Sequence, residues 1–105
     1  MRTLRFYVDG QRISKDSKCN FSGIVAGSKG YLDCMFSFSK DWENLAKVAV
    51  FRTADTTKYI PIVNNRCDMP DDVTDSTRIH VSVIGKDAYT ALSTSTAVVM
   101  QQKGV

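Results

Sequence analysis

The sequence predicts an all-β protein, a two-layer antiparallel β-sandwich of immunoglobulin-like size with one or two single-turn helices. Apolar and polar residues alternate in several short segments, which is the pattern of strands with one buried face. Turn-forming residues separate these segments at close spacing and leave room only for single helical turns. The 105 residues suit one sandwich domain over residues 1–105, and a small closed barrel is the main alternative.

The first third of the chain predicts a hairpin followed by an irregular connection. Residues 3–8 alternate apolar and polar side chains and are expected to form a strand. The dipeptide Asp9-Gly10 is typical of a type I′ hairpin turn, in which both central residues need positive φ. Residues 11–14 form the expected return strand, and one short strand is expected near residues 21–26 within a Ser-, Lys- and Gly-rich stretch.

The central stretch predicts a strand, one helical turn and a second strand. Residues 32–38 alternate, and the acid and capping side chains that follow favour a short helical turn. That turn separates Trp42 from Leu45 by three residues, so both can face one apolar surface, with Trp42 as a plug over one end of the sandwich. Residues 48–51 are all apolar, and a run without alternation predicts a central strand covered on both faces.

The remaining segments predict short strands with tight turns between them. Pro61 cannot donate a ladder hydrogen bond, so its strand is expected at a sheet edge. Asn64-Asn65 is expected to be a turn, and residues 70–73 suit a single helical turn with proline at its first position. The tail from Gln102 onward is expected to fray. The strands are expected at residues 58–63, 66–69, 78–84, 91–92 and 96–101.

Composition argues against membrane and nucleic-acid partners. The net charge is +3, and six basic against two acidic residues fall in the first 30 positions. These basic residues alternate with apolar ones and form no dense cluster or known nucleic-acid motif, so nucleic acid is not an expected partner. No apolar run is long enough to span a membrane, and the N-terminus reads as a strand, so we expect synthesis in the cytoplasm.

Side chains that could carry chemistry are few and scattered. Three widely spaced cysteines and one histidine, His80, do not match a zinc site, and we expect the cysteines to be reduced, with Cys34 in the core. Four aspartates between residues 68 and 75 lack the glycine and ligand spacing of a calcium loop. His80 lies between Ile79 and Val81 without a nucleophile motif nearby. The sequence therefore predicts no enzyme, no metal and no cofactor.

Four segments together resemble a family of small structural proteins of tailed bacteriophages that infect Gram-positive bacteria. The segments are FYVDGQRI (6–13), YLDCMFSFSKDWENLAKVAVFR (31–52), IHVSVIGKD (79–87) and LSTSTAVVMQQKGV (92–105). The central motif is Phe-x-Phe-Ser-x-x-Trp-x-x-Leu-x-Lys-x-Ala-Val-Phe. Its positions here are Phe36, Phe38, Ser39, Trp42, Leu45, Lys47, Ala49, Val50 and Phe51. The fibre-like extension of longer members does not follow Val105, which favours a stand-alone module.

The resemblance implies a non-enzymatic virion structural or accessory protein, a capsid decoration or a tail or baseplate adaptor that acts by protein–protein contacts. Its partners would be phage capsid or tail and baseplate proteins, with self-association left open. It would be made in the host bacterial cytoplasm and located in the virion. The alternative is a phage-encoded soluble inhibitor of a host protein, such as a defence nuclease.

The predicted interface lies on the N-terminal strand. Arg5 and Tyr7 share its outer face, opposite the buried side chains, and arginine and aromatic residues are enriched at protein interfaces. Both sheets should have open edges, and Arg12 and Lys58 are charges that discourage unwanted strand pairing there. A solvated sheet face is the alternative for Arg5 and Tyr7.

Overall fold

Two β-sheets pack face to face in the computed structural model, which describes residues 1–104. The strands are β1 (Arg2–Asp9), β2 (Arg12–Lys15), β3 (Leu32–Phe38), β4 (Ala46–Arg52), β5 (Thr57–Pro61), β6 (Arg66–Asp68), β7 (Arg78–Lys86), β8 (Ala91–Ser93) and β9 (Ala97–Met100). Single 3₁₀ turns cover Lys40–Trp42 and Asp71–Val73. The predicted all-β sandwich with single-turn helices is confirmed.

The first sheet has the order β2-β1-β3-β6 and contains a parallel pair, β1 with β3. The other pairings of both sheets are antiparallel, as predicted. The connection between β2 and β3 explains the parallel pair. It starts beside the middle of β1, where the Asp16 N–H donates to the Arg5 carbonyl, and returns to the start of β1, where the Arg2 N–H donates to the Tyr31 carbonyl. The chain therefore enters β3 at the same end as β1.

The strand predicted near residues 21–26 is wrong. Val25 makes only an isolated bridge to Gln102 in this connection. Gly23 and Gly27 have φ values of 70° and 98°, so the backbone turns on both sides of Val25. The prediction of a fraying tail is wrong at Gln102, because the Gln102 N–H donates to the Ile24 carbonyl at 2.6 Å. Val105 lies outside the described residues.

The second sheet has β5, β4 and β7 side by side, and both β8 and β9 pair with the far side of β7. β8 lies beside the C-terminal half of β7 and β9 beside its N-terminal half. Strand β5 is at the sheet edge, which confirms the position predicted from Pro61.

The first hairpin turn differs from the type expected from sequence, and the predicted turn at Asn64-Asn65 has a type that was not predicted. The loop residues of the first hairpin are Gly10 and Gln11 rather than Asp9-Gly10, and only Gly10 has positive φ (57°). Positive φ at the first central position alone is the requirement of a type II′ turn, so the type I′ prediction is wrong there. The dihedral pattern of type I′ occurs instead at Asn64 and Asn65, with φ values of 52° and 63°.

Trp42 closes one end of the core between the sheets. Its side chain is fully buried, and its Nε1–H donates to the Gly10 carbonyl at 2.7 Å. The ring lies against Gly85, where a Cβ atom would stand only 2.6 Å from Trp42 Cζ3. Leu45 is also buried in this region. The expectation that Trp42 is a core plug is confirmed.

Strand β4 is central in its sheet but is covered on one face only. Ala49 and Phe51 are fully buried against the first sheet. Val48 and Val50 alternate with them and remain partly exposed. The predicted cover on both faces is therefore wrong for the chain by itself, since no segment of residues 1–104 packs over the second face of β4.

Candidate functional site

The outer face of the second sheet is the surface that points away from the first sheet. Directly opposed residues of neighbouring strands share a face, so the strand register identifies its members. They are Ala46, Val48, Val50, Arg52, Thr57, Tyr59, Pro61, Arg78, His80, Ser82, Ile84, Lys86, Ala91, Ser93, Val98 and Met100. Several of the large apolar members are well exposed, with Tyr59 at 62% and Met100 at 50%. This face is unusually apolar for the open side of a sheet.

One part of the outer face is a shallow apolar groove of about 430 Å³. Val48 lies directly opposite Ile84, and on the other side of β7 Ser93 lies opposite Ile84 and Ala91 opposite Lys86. The groove is lined by Ala46, Val48, Ile84, Gly85, Lys86, Ala91, Leu92 and Ser93. Lys86 is the only charged side chain in that lining.

At the other end of the same face is a basic cleft of about 630 Å³. Arg52 at the end of β4 lies directly opposite His80 of β7, and Arg78 is two residues further along β7 on the same face. Lys103 of the tail completes the positively charged lining. The remaining lining residues are Thr53, Ala54, Asp75, Ser76 and Thr77.

The charges on the outer face have one sign. Its charged members are Arg52, Arg78 and Lys86, and no aspartate or glutamate occupies an outward position on any strand of this sheet. Asp75 borders the basic cleft from a loop, but its carboxylate is paired with Lys29 Nζ at 3.1 Å. The exposed apolar groove is therefore bordered by basic side chains without acidic counterparts on the sheet.

The predicted interface residues Arg5 and Tyr7 lie on the opposite side of the molecule, on the outer face of the first sheet. Both are exposed, and Tyr7 is 46% accessible. The Arg5 guanidinium contacts the sulfur of Met35 on the neighbouring strand. Tyr7 lies opposite two serines, Ser14 of β2 and Ser37 of β3. Whether this face binds a partner stays a prediction.

An ion pair occupies the same outer face of the first sheet. Arg66 Nη2 donates to Asp33 Oδ2 at 2.8 Å, and the Thr3 hydroxyl donates to Asp33 Oδ1 at 2.6 Å. Burial by itself would raise the pKa of Asp33, but these two hydrogen bonds and the charge of Arg66 outweigh it and hold the pKa below its ordinary value. Asp33 and Arg66 therefore neutralise each other within the chain, whereas Arg52 and Arg78 of the basic cleft form no ion pair among the described residues.

The remaining reactive side chains have structural surroundings. Cys34 lies directly opposite Cys67, and both are free thiols. The hydrogen bond with Cys67 and the burial of the side chain raise the pKa of Cys34 well above its ordinary value.

Within residues 1–104, no group of three or more His, Cys, Asp or Glu side chains is placed to hold a metal ion. No helix in that range has the length and apolar character required to cross a membrane.

Three of the four aspartates between residues 68 and 75 contact neighbouring segments. Asp71 accepts a hydrogen bond from the Gly30 backbone, and Asp75 pairs with Lys29. Asp72 pairs with Lys58 Nζ at 2.8 Å, and this contact lowers the pKa of Asp72. These contacts attach two segments to the region of the second 3₁₀ turn. One is the connection that precedes β3, and the other is strand β5.

Sequence reasoning did not identify the outer face of the second sheet, although the sequence contains a signal for it. Val48 and Val50 break the expected alternation of β4, and Ile84 breaks that of β7. Only the strand register shows that these residues meet on one exposed surface. Comparison with protein-family models and with curated proteins finds no match to this chain.

Proposed function

We propose that this chain is a non-enzymatic bacteriophage virion structural or accessory protein, a capsid decoration or a tail or baseplate adaptor that acts by protein–protein contacts. The observation that carries the binding role is the apolar groove, a contiguous apolar surface on an ordered sheet that the chain leaves open. Surfaces of this kind are typical of protein interaction sites. The assignment to a phage rests on the resemblance of the central motif.

The partner is expected to present apolar side chains beside acidic ones. Val48 and Ile84 offer the apolar contact, and Lys86 with the arginines of the basic cleft offers positive charge on both sides of it. Complementary charges favour encounter and orientation, whereas like charges disfavour them. A symmetric pair of copies joined through this face would bring the same basic residues together, so a different virion protein is the occupant that we propose.

A binding role also agrees with the surroundings of His80. Its side chain makes no hydrogen bond to a hydroxyl, thiol or carboxylate in the described part of the chain, and its opposite neighbour is Arg52. General-base catalysis would need an adjacent nucleophile and a group that orients the imidazole.

The test replaces Val48 with Lys and Ile84 with Glu in the phage that encodes the chain. These residues are directly opposed, so the new charges pair across the strands and the fold is retained. We expect mass spectrometry of purified particles to find the parent protein and not the double variant, while the isolated variant keeps its thermal midpoint. A folded variant incorporated at the parent level would exclude the groove as the contact.

A second double variant, Arg5→Glu with Tyr7→Ala, tests the outer face of the first sheet. The sequence predicts that this variant keeps its fold but is also lost from particles, because arginine and aromatic side chains are enriched at interfaces. Normal incorporation of this variant with loss of the groove variant would assign binding to the second sheet alone. If the parent protein itself is abundant in infected cells and absent from purified particles, the proposal fails in favour of a soluble inhibitor.

A further inference from the structure

We propose that the basic cleft is a binding site for carboxylate groups of an acidic protein segment. The inference rests on the proposed function for its setting and deepens it by naming the chemistry of the partner. The cleft and the apolar groove lie on one sheet face, separated by the opposed pair Val50 and Ser82, so a single extended segment can contact both.

The strand register concentrates positive charge at the cleft. Arg52 is directly opposite His80, and Arg78 occupies the diagonal position next to Arg52 on the same face. Diagonal side chains in a sheet are within reach of each other when they are long, as arginines are. The positive charges of Arg52 and Arg78 therefore repel each other in the free chain, and a bound anion offsets this repulsion.

These cations have no carboxylate partner among the described residues. The ion pairs there join Lys29 to Asp75, Lys58 to Asp72 and Arg66 to Asp33. Neither Arg52 nor Arg78 belongs to one of them, and neither donates a side-chain hydrogen bond within residues 1–104. A guanidinium group presents paired N–H donors whose spacing matches the two oxygens of a carboxylate. Two such groups on one face can hold an acidic side chain each, or one between them.

The lining of the cleft favours an acidic protein segment over nucleic acid. It contains none of the large aromatic rings, Phe, Tyr or Trp, on which successive bases stack, and His80 is its one aromatic side chain. The basic residues do not continue as a track along the sheet, because Val48, Val50 and Ile84 separate the cleft from Lys86. Isolated carboxylates beside apolar residues suit this surface best.

The test is an NMR titration of the full ¹⁵N-labelled chain with the peptide acetyl-Glu-Glu-Glu-Glu-amide at constant salt. We expect saturable shifts at the backbone amides of Arg52, Thr53, Thr77 and Arg78, with no such shifts from the matched tetraglutamine peptide. Equal response to both peptides, or shifts spread over the whole surface, would overturn the proposal.

The variant Arg52→Gln with Arg78→Gln should bind the tetraglutamate peptide at least about tenfold more weakly, because charge-assisted hydrogen bonds to the ligand are lost. Its thermal midpoint should equal or exceed that of the parent, since like-charge repulsion is removed. The control Arg12→Gln with Lys18→Gln makes the same change in net charge away from the cleft. It should change the affinity by less than about twofold, since screening weakens distant charges. An equal loss in the control would show general charge attraction and refute a site.

A parallel titration with a deoxythymidine decamer tests whether the cleft binds nucleic acid instead. If it shifts the same amides at lower concentration than the peptide, the cleft is a nucleic-acid site and the proposal is wrong. The titration uses the isolated chain, so a negative result would not refute the proposal that the protein is incorporated into particles. Conversely, a chain absent from virions can still bind the peptide, and the two proposals can therefore fail separately.

Discussion

Removing the indole of Trp42 should cost the fold a large part of its stability. The side chain is fully buried, its ring centre lies 5.5 Å from that of Phe38, and its Nε1–H bonds the Gly10 carbonyl. Truncation of a buried tryptophan to alanine costs about 3–5 kcal/mol. A domain of this size has a total free energy of unfolding of about 5–15 kcal/mol, so Trp42→Ala should remain folded but become markedly less stable.

The contact between Trp42 and Gly85 allows a sharper form of this experiment. A Cβ atom at position 85 would lie 2.6 Å from Cζ3 and 2.8 Å from Cε3 of the indole. In the parent, Gly85→Ala should therefore cost about 1–3 kcal/mol by overpacking. In the Trp42→Ala background the indole is gone, and the same change should cost little or increase stability. The double-mutant cycle should give a coupling of about 1–3 kcal/mol.

Urea unfolding followed by far-UV circular dichroism is the suitable assay, because Trp42 is the only tryptophan and its fluorescence is lost in the variant. Tyr89→Ala is the control for an exposed aromatic, at 97% accessibility, and should stay within about 0.5 kcal/mol of the parent. Additivity of the Trp42 and Gly85 changes within about 0.5 kcal/mol would refute the packing described here. A stable Trp42→Ala protein that no longer binds its partner would identify Trp42 as a surface contact.

Two further predictions concern the cysteines and Asp33. Because the three cysteines are free thiols, reductant or a metal chelator should leave the thermal midpoint unchanged, and a clear fall with either one would contradict this. Asp33→Asn should lower the free energy of unfolding by about 1.5–3 kcal/mol at pH 7, through weakened bonds with Thr3 and Arg66. The pKa of Asp33 is lowered by folding, so its contribution is complete above the unfolded-state value of about 3.9 and is lost as the pH falls through the folded-state value. The stability curves of variant and parent should converge in acid, and a constant gap would argue against the ion pair.

Local patterns in the sequence predicted most of the strands and the buried side chains, because alternation follows directly from strand geometry. Leu4, Phe6 and Val8 are buried, as their spacing indicates, and Trp42 is the predicted plug. The parallel pairing of β1 with β3 was not predictable in this way. It depends on the path of residues 16–31, which is fixed by backbone hydrogen bonds to distant strands and leaves no periodic signal.

The candidate site was harder to predict than the fold, because it is defined by the strand register. Arg52 and Arg78 are 26 positions apart in sequence, and nothing in either segment indicates that they share a face. The predicted pair, Arg5 and Tyr7, was found because two residues of one strand share a face whatever the register. Neighbours on one strand are visible in the sequence, and neighbours across strands become visible only in the structure.

The apolar run of β4 connects the sequence to the proposed assembly. Its lack of alternation predicts cover on both faces, yet Val48 and Val50 remain partly exposed while Ala49 and Phe51 are buried. Burial of apolar side chains stabilises a protein by about 25 cal/mol per Å². The exposed apolar face of β4 does not gain this stabilisation in the chain by itself. A partner seated on the groove would supply the missing cover. On the proposed function, the sequence pattern of β4 is that of a strand central in a complex, of which this chain provides one side.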